Sequence, residues 1–301
     1  MGPPGRAWFD IVVPGLTTPR AIRSDRATGF RRKPSQPAGA TPMKMRIEVE
    51  LDYDAEGVVD VLMQIETAWM VDQTVTEERL DPGRTAHAIR IEGEDSIGSR
   101  VWLRPEGRFR CVYSANVEIA RPAIDIATLP TDPVWRLPAE AVPYLMASRY
   151  CPSDEFQSFV AAEFGDIEAG ACIARMADWI AKRYTYSPGA SGPWTTALDT
   201  FVQRRGICRD FAHVLISLAR AKGIPARMVS GYCPEVRPQD FHALAQVWLD
   251  GAWHLVDPTG MATPDRLAII GVGRDAADIA FLTSYGWLTL RQQNVAVHEI
   301  A

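Results

Sequence analysis

From Met45 the chain alternates strictly: Met45, Ile47, Val49, Leu51 and Tyr53 are apolar, and Arg46, Glu48, Glu50 and Asp52 between them are charged. A period of two means a half-buried strand. Short runs of the same kind follow near 58–65, 86–92 and 99–104, and Phe109, Cys111, Tyr113, Ala115 and Val117 alternate again. Pro82-Gly83 and Glu106-Gly107 supply turn signals between them. An antiparallel β domain over 45–120 is expected, followed by a Pro-rich linker over 121–152.

Helical spacing takes over in the next segment, 153–301. Ile173, Met176 and Ile180 share one face of a helix running to about Arg183. Thr196-Ala-Leu-Asp199 has the form of a capping box opening a second helix, with Gly206 as its expected C-terminal stop. A third helix begins near Cys208, shows Phe211, Leu215 and Leu218 on its apolar face, and stops at Gly223-Ile224-Pro225. Strands follow at 226–232, 242–249 and 252–257. Helices first and then an antiparallel sheet is the α+β arrangement.

Residues 1–44 break both patterns. They hold eight Lys/Arg against Asp10 and Asp25, are interrupted by prolines and show no periodicity. A disordered basic tail or a non-native start is expected, with Met43 or Met45 as natural starts. The Arg-rich, acid-poor composition also fits a mitochondrial presequence.

Over the 301 residues the net charge is −5, with 47% hydrophobic and 23% charged residues, so the global balance asks for no nucleic acid. No apolar run approaches the roughly 18 residues of a membrane span, and no secretory signal is evident. A cytoplasmic protein without a membrane partner is the expectation. Five scattered cysteines with no CxxC are neither a disulfide framework nor a zinc ribbon.

One cysteine differs from the rest. Cys208 lies in Arg204-Arg205-Gly206-Ile207-Cys208-Arg209-Asp210, at a helix N-terminus and among arginines, where a thiolate is favoured. His213, five residues on, is turned about 140° around the helix axis and cannot serve it. Asp250-Gly251 is a two-residue hairpin signal. Closing the turn there pairs Leu249 with Ala252, Trp248 with Trp253 and Gln246 with Leu255, and carries His242 and Asp257 to one face as diagonal neighbours. His254, opposite Val247, faces away. The pattern is a nucleophile, a base and a residue that orients the base. A zinc site from Cys208, His242 and His254 would need ligands from opposite sheet faces, so no metal is expected.

The segment 195–212, TTALDTFVQRRGICRDFA, resembles the nucleophile block of the transglutaminase-like superfamily. Gly223–Tyr232, Asp240-Phe-His242-Ala and Trp253-His-Leu-Val-Asp257-Pro-Thr259 resemble its following blocks. Leu137-Pro138, Ser148–Ser153 and Gly271–Asp278 are similar to the bacterial branch of transglutaminase-like cysteine proteases. The resemblance implies a papain-like core behind an N-terminal β domain, a Cys208-His242-Asp257 triad, and no cofactor. It also implies an acidic residue where Gln246 stands. The Cys208 backbone N–H is one expected oxyanion donor, and Tyr186 and Trp194 are candidates for the other or for the groove. The expected chemistry is hydrolysis of a peptide or carboxamide bond in a peptide or protein through a thioester. Acyl transfer to an amine, as in cross-linking, and a non-catalytic peptide-binding module are the alternatives.

Overall fold

The computed structural model describes residues 42–301 and the backbone of Ile11–Val12. The expected tail therefore lies almost wholly outside the described residues. In chain order the elements are β1 (Ile11–Val12), β2 (Met43–Val58), β3 (Val61–Met63), β4 (Gln73–Asp81), β5 (Ala88–Glu92), β6 (Ser99–Leu103), β7 (Glu106–Ile119), α1 (Gln157–Phe164), α2 (Ala169–Arg183), β8 (Thr185–Tyr186), α3 (Ala197–Gln203), β9 (Arg205–Gly206), α4 (Cys208–Ala221), β10 (Ala226–Tyr232), β11 (His242–Leu249), β12 (Ala252–Val256), β13 (Ala268–Gly273), α5 (Ala276–Ile279), β14 (Leu282–Ser284) and β15 (Leu288–Ile300).

The alternation from Met45 becomes the inward face of β2, where Met45, Ile47, Leu51 and Tyr53 are fully buried. β2 lies in a four-stranded sheet of order β15-β2-β7-β4. A five-stranded sheet of order β1-β14-β3-β6-β5 shares its core. Both contain a strand from beyond residue 280. β15 runs antiparallel along β2 from Leu288↔Ala55 to Ile300↔Lys44, and β14 pairs with β3. The C-terminal segment thus returns to the N-terminal sheets. The core is continuous as well, because Tyr232, Phe241, Ala268 and Ile270 pack into the same apolar cluster.

The Pro-rich stretch is a packed strap, not a free tether. The Leu129 carbonyl accepts from Gly170 N–H, the Pro130 carbonyl from Asp250 N–H, and Asp132 Oδ2 from the Trp248 indole N–H at 2.9 Å.

A third sheet, β12-β11-β10-β13, is antiparallel throughout, and α4 packs across it. Helix α4 is buried on every side from Cys208 to Arg220. Its apolar side chains, each contributing about 1.5–3 kcal/mol when fully buried, therefore hold it centrally. Its polar ones need partners, and Arg220 meets four acceptors: the carbonyls of Ala226, Met146 and Arg274 and the Ser148 hydroxyl. Among the described residues no helix is long and apolar enough to cross a membrane.

Candidate active site

The capping box forms as expected: Thr196 Oγ1 accepts from Asp199 N–H, and Asp199 Oδ2 accepts from Thr196 N–H. The helix it opens ends earlier than Gly206. Arg204 takes the left-handed conformation at φ 56° and closes α3. Gly206 serves a different purpose. It pairs with Tyr186 in the two-stranded parallel β8–β9 bridge, and a Cβ there would lie 2.7 Å from the Asp210 Cβ. Its missing side chain makes room for Asp210, which caps α4 by accepting the Ile207 N–H at 2.9 Å. Cys208 follows as the first residue of α4 and is 5% exposed.

The hairpin register is the one the turn dictates. Leu249↔Ala252, Trp248↔Trp253, Val247↔His254 and Gln246↔Leu255 are paired with no bulge. Asp250 and Gly251 both take positive φ, as the tight primed turn requires. His242 is the first residue of β11 and Asp257 follows the last residue of β12. Their side chains meet, with His242 Nε2 at 2.8 Å from Asp257 Oδ2.

Asp257 is itself held. Its Oδ1 accepts from the Thr259 N–H and hydroxyl at 2.9 and 2.7 Å, and its Oδ2 accepts from Ala262 N–H at 2.8 Å. Burial pushes this carboxyl up, but His242 and Thr259 outweigh burial and keep it below the usual carboxylate range. Burial likewise pushes His242 down, and the Asp257 carboxylate together with the Cys208 sulfur outweighs it, raising the imidazole to about 10. With Nε2 committed to Asp257, Nδ1 is the nitrogen left for the thiol. It is buried and has no other hydrogen-bond partner.

Burial pushes the thiols of Cys111, Cys151 and Cys233 to about 12 and that of Cys172 to about 11, which makes them inert at neutral pH. His213 is fully buried, stacked on Tyr150 at 5.2 Å, and its Nε2 accepts from Ala276 N–H. His254 donates to the Leu249 carbonyl at 3.0 Å and takes no part in the Cys208 cluster. Among the described residues no group of three metal-ligating side chains is assembled.

The two groove candidates separate. Tyr186 is half-buried close to Cys208. Burial first, and then the nearby Cys208 side chain, raise its phenol. Trp194 is 76% exposed, and the Arg149 guanidinium lies 5.5 Å from its ring. Gln246 carries no charge, yet one arrives from elsewhere. Arg227 Nε donates to Gln246 Oε1 at 2.9 Å, and its Nη1 donates to Asp95 Oδ2 at 2.6 Å. The acid comes from the turn before β6, which no pattern around residue 246 could reveal. Thr259 was also readable, since Asp-x-Thr is a local side-chain turn signal.

The fold matches a protein described as a "Putative Cysteine Protease" from Cytophaga hutchinsonii, with TM-score 0.82 and 31% identity over 87% of this chain and 92% of that one. The sequence profile of the transglutaminase-like superfamily matches residues 160–258, which run from within α1 to the Asp257 turn. The chain belongs to the transglutaminase-like superfamily. Within it, an uncharacterized protein of Mycobacterium leprae is 36% identical over 117 residues, covering 36% of this chain and 42% of that protein. A protein-glutamine gamma-glutamyltransferase of Pseudomonas aeruginosa is 35% identical over 97 residues, covering 28% of this chain and 14% of that enzyme. The matches span less than half the length of these two relatives. A transglutaminase-like core of this kind supports cysteine-based hydrolysis or acyl transfer.

Proposed function

We propose that this protein is a cysteine-dependent amide or peptide hydrolase working through a thioester, with Cys208, His242 and Asp257 as its triad. The observation that carries the reading is the state of His242: Asp257 engages Nε2, Nδ1 has no other partner, and the imidazole is raised to about 10 beside the sulfur. An imidazolium is thereby favoured beside a sulfur that sits at the positive end of α4, the arrangement that activates a thiol nucleophile.

In the reaction the thiolate adds to the carbonyl carbon of the substrate. The negative oxygen that forms is met by the Cys208 backbone N–H and the Tyr186 hydroxyl. The C–N bond then breaks, and His242 gives its proton to the departing amine, leaving a thioester. Water adds next as His242 takes a proton from it. The C–S bond breaks, and the products are a carboxylic acid and the regenerated thiolate–imidazolium pair. Asp257, fixed by Thr259 and Ala262, keeps the ring oriented and stabilises its charge throughout. Transfer to an amine instead of water is the second reading, favoured by the likeness to the Pseudomonas aeruginosa glutamyltransferase.

Iodoacetamide labelling at pH 6 followed by peptide mass mapping tests the core of this reading. Cys208 is expected to alkylate well ahead of the other four cysteines. His242→Ala is expected to slow this labelling, because the thiol loses its base. Cys208 reacting no faster than a control peptide thiol in folded protein would remove the nucleophile.

A further inference from the structure

Arg209 follows the nucleophile directly, yet its side chain serves a different part of the site. Its Nε and Nη2 both donate to Asp210 Oδ1, at 3.1 and 2.9 Å. Nη2 also reaches the Ser191 hydroxyl at 3.1 Å and the Gly192 carbonyl at 2.8 Å. The second oxygen of Asp210 caps the helix at Ile207. Both side chains are almost wholly buried, Arg209 at 2% and Asp210 at 0% exposure. A buried ion pair contributes little net stability against its desolvation cost, so what it holds in place matters more than its strength.

What it holds is the loop 187–195. That loop leaves Tyr186, whose backbone pairs with Gly206 two residues ahead of Cys208, and carries the exposed Trp194. It is tied at two further points, Ser187 N–H to the Gly206 carbonyl and the Tyr150 hydroxyl to the Pro193 carbonyl, and braced internally by Gly192 N–H to Thr195 Oγ1. Of these ties, Arg209 alone connects the loop to a side-chain pair inside the first turn of α4.

We infer that Arg209 and Asp210 are positioning residues that lock the loop 187–195 to the nucleophile's helix. The wall bearing Tyr186 and Trp194 then stands at a fixed distance from the Cys208 sulfur and grips the acyl part of an extended substrate. The inference rests on the cysteine-enzyme reading and adds two residues and a binding wall to it.

The double variant Arg209→Met/Asp210→Asn is the cleanest probe. It leaves no unpaired buried charge and keeps an oxygen to cap Ile207. Two reagents are compared on Cys208: iodoacetamide, which needs no wall, and a dipeptidyl chloromethyl ketone, which does. Amide hydrogen exchange of the loop is followed in parallel. The variant is expected to lose about tenfold in the dipeptidyl rate relative to its own iodoacetamide rate, the effect of one lost charge-assisted contact. Exchange should quicken across 187–195 and stay unchanged across 208–221. Arg209→Lys should fail to restore the dipeptidyl rate, because an ammonium cannot span Asp210 and the loop as a fork does. Ser191→Ala, which removes one contact and no charge, should shift both readouts the same way to a smaller extent. If the double variant does not fold, the Ser191→Ala result decides. Equal slowing with both reagents, or an unchanged rate ratio with unchanged loop exchange, would make the pair a purely structural one and overturn the inference. A wild type whose Cys208 reacts no faster than its other cysteines would defeat the enzyme reading instead, and loop exchange would still judge the lock.

Discussion

A methyl group on Gly206 would fall 2.7 Å from the Cβ of Asp210 and 2.8 Å from its Oδ2. Two residues ahead of Cys208, the backbone and the carboxylate that caps its helix share a space only glycine leaves open. Gly206→Ala is therefore expected to destabilise the protein by about 1–3 kcal/mol, the range for overpacking. It should also slow Cys208 labelling in the protein that remains folded. Urea unfolding and the iodoacetamide rate together check this, and an alanine variant unchanged in both would show that Asp210 has room to move.

Asp257→Asn should leave the fold intact and lower the rate on substrate by on the order of 10²–10⁴, because the imidazole loses the partner that fixes its orientation and charge. His254→Ala should leave chemistry nearly unchanged, its ring being spent on the Leu249 carbonyl. A His254 variant slower than the Asp257 variant at equal stability would contradict this assignment of roles.

Opposite pH dependences should come from two histidines. His242 has its folded pKa raised from 6.5 to about 10. Its contribution to stability is thus full below pH 6.5 and lost as pH rises toward 10. His213 is held neutral, its pKa lowered to about 3 by burial first and then by Arg209. Its contribution is full above pH 6.5 and lost as pH falls from there toward 3. His213→Gln should flatten the acid side of a plot of Tm against pH, and His242→Gln the alkaline side. An acid limb unchanged by His213→Gln would assign that loss to other groups.

Charge relocation offers a further test. Asp95→Asn removes the carboxylate that Arg227 grips and is expected to cost about 1–3 kcal/mol. Gln246→Glu places an acid on the other side of the same guanidinium. The double variant should regain much of the loss, and a double-mutant cycle reads the coupling directly. Strictly additive effects would mean that the two acceptors do not share Arg227.

The hairpin was legible in the sequence because a two-residue Asp-Gly turn leaves no freedom in register. Once it closes, the meeting of His242 and Asp257 follows from counting. The start of α4 was legible for a similar reason, since its cues are local. β4 and β15 were not. Of β4 only Gln73 and Val75 are buried, and the middle of β15 is a polar run through Arg291, Gln292, Gln293 and Asn294. Such strands exist because β7 and β2 offer them a paired edge, a tertiary cause with no local trace. Asp95, Ser191 and Gly192 were invisible likewise, since their partners are fixed only by the closed fold.

β15 reaches past the sheet it completes. Its Gln293 donates to Asp240 Oδ1 at 2.6 Å, and the backbone of Val297 exchanges two hydrogen bonds with the Gln239 side chain. These are the residues that lead into His242. The thirteen residues from Leu288 to Ile300 act as a rail whose near side completes a β-sheet and whose far side steadies the approach to the imidazole. The segment from residue 153 onward is consequently not a transplantable cassette. A fragment cut at residue 153 would carry the rail without its bed, and trimming the final strand would disturb chemistry at a site it never touches.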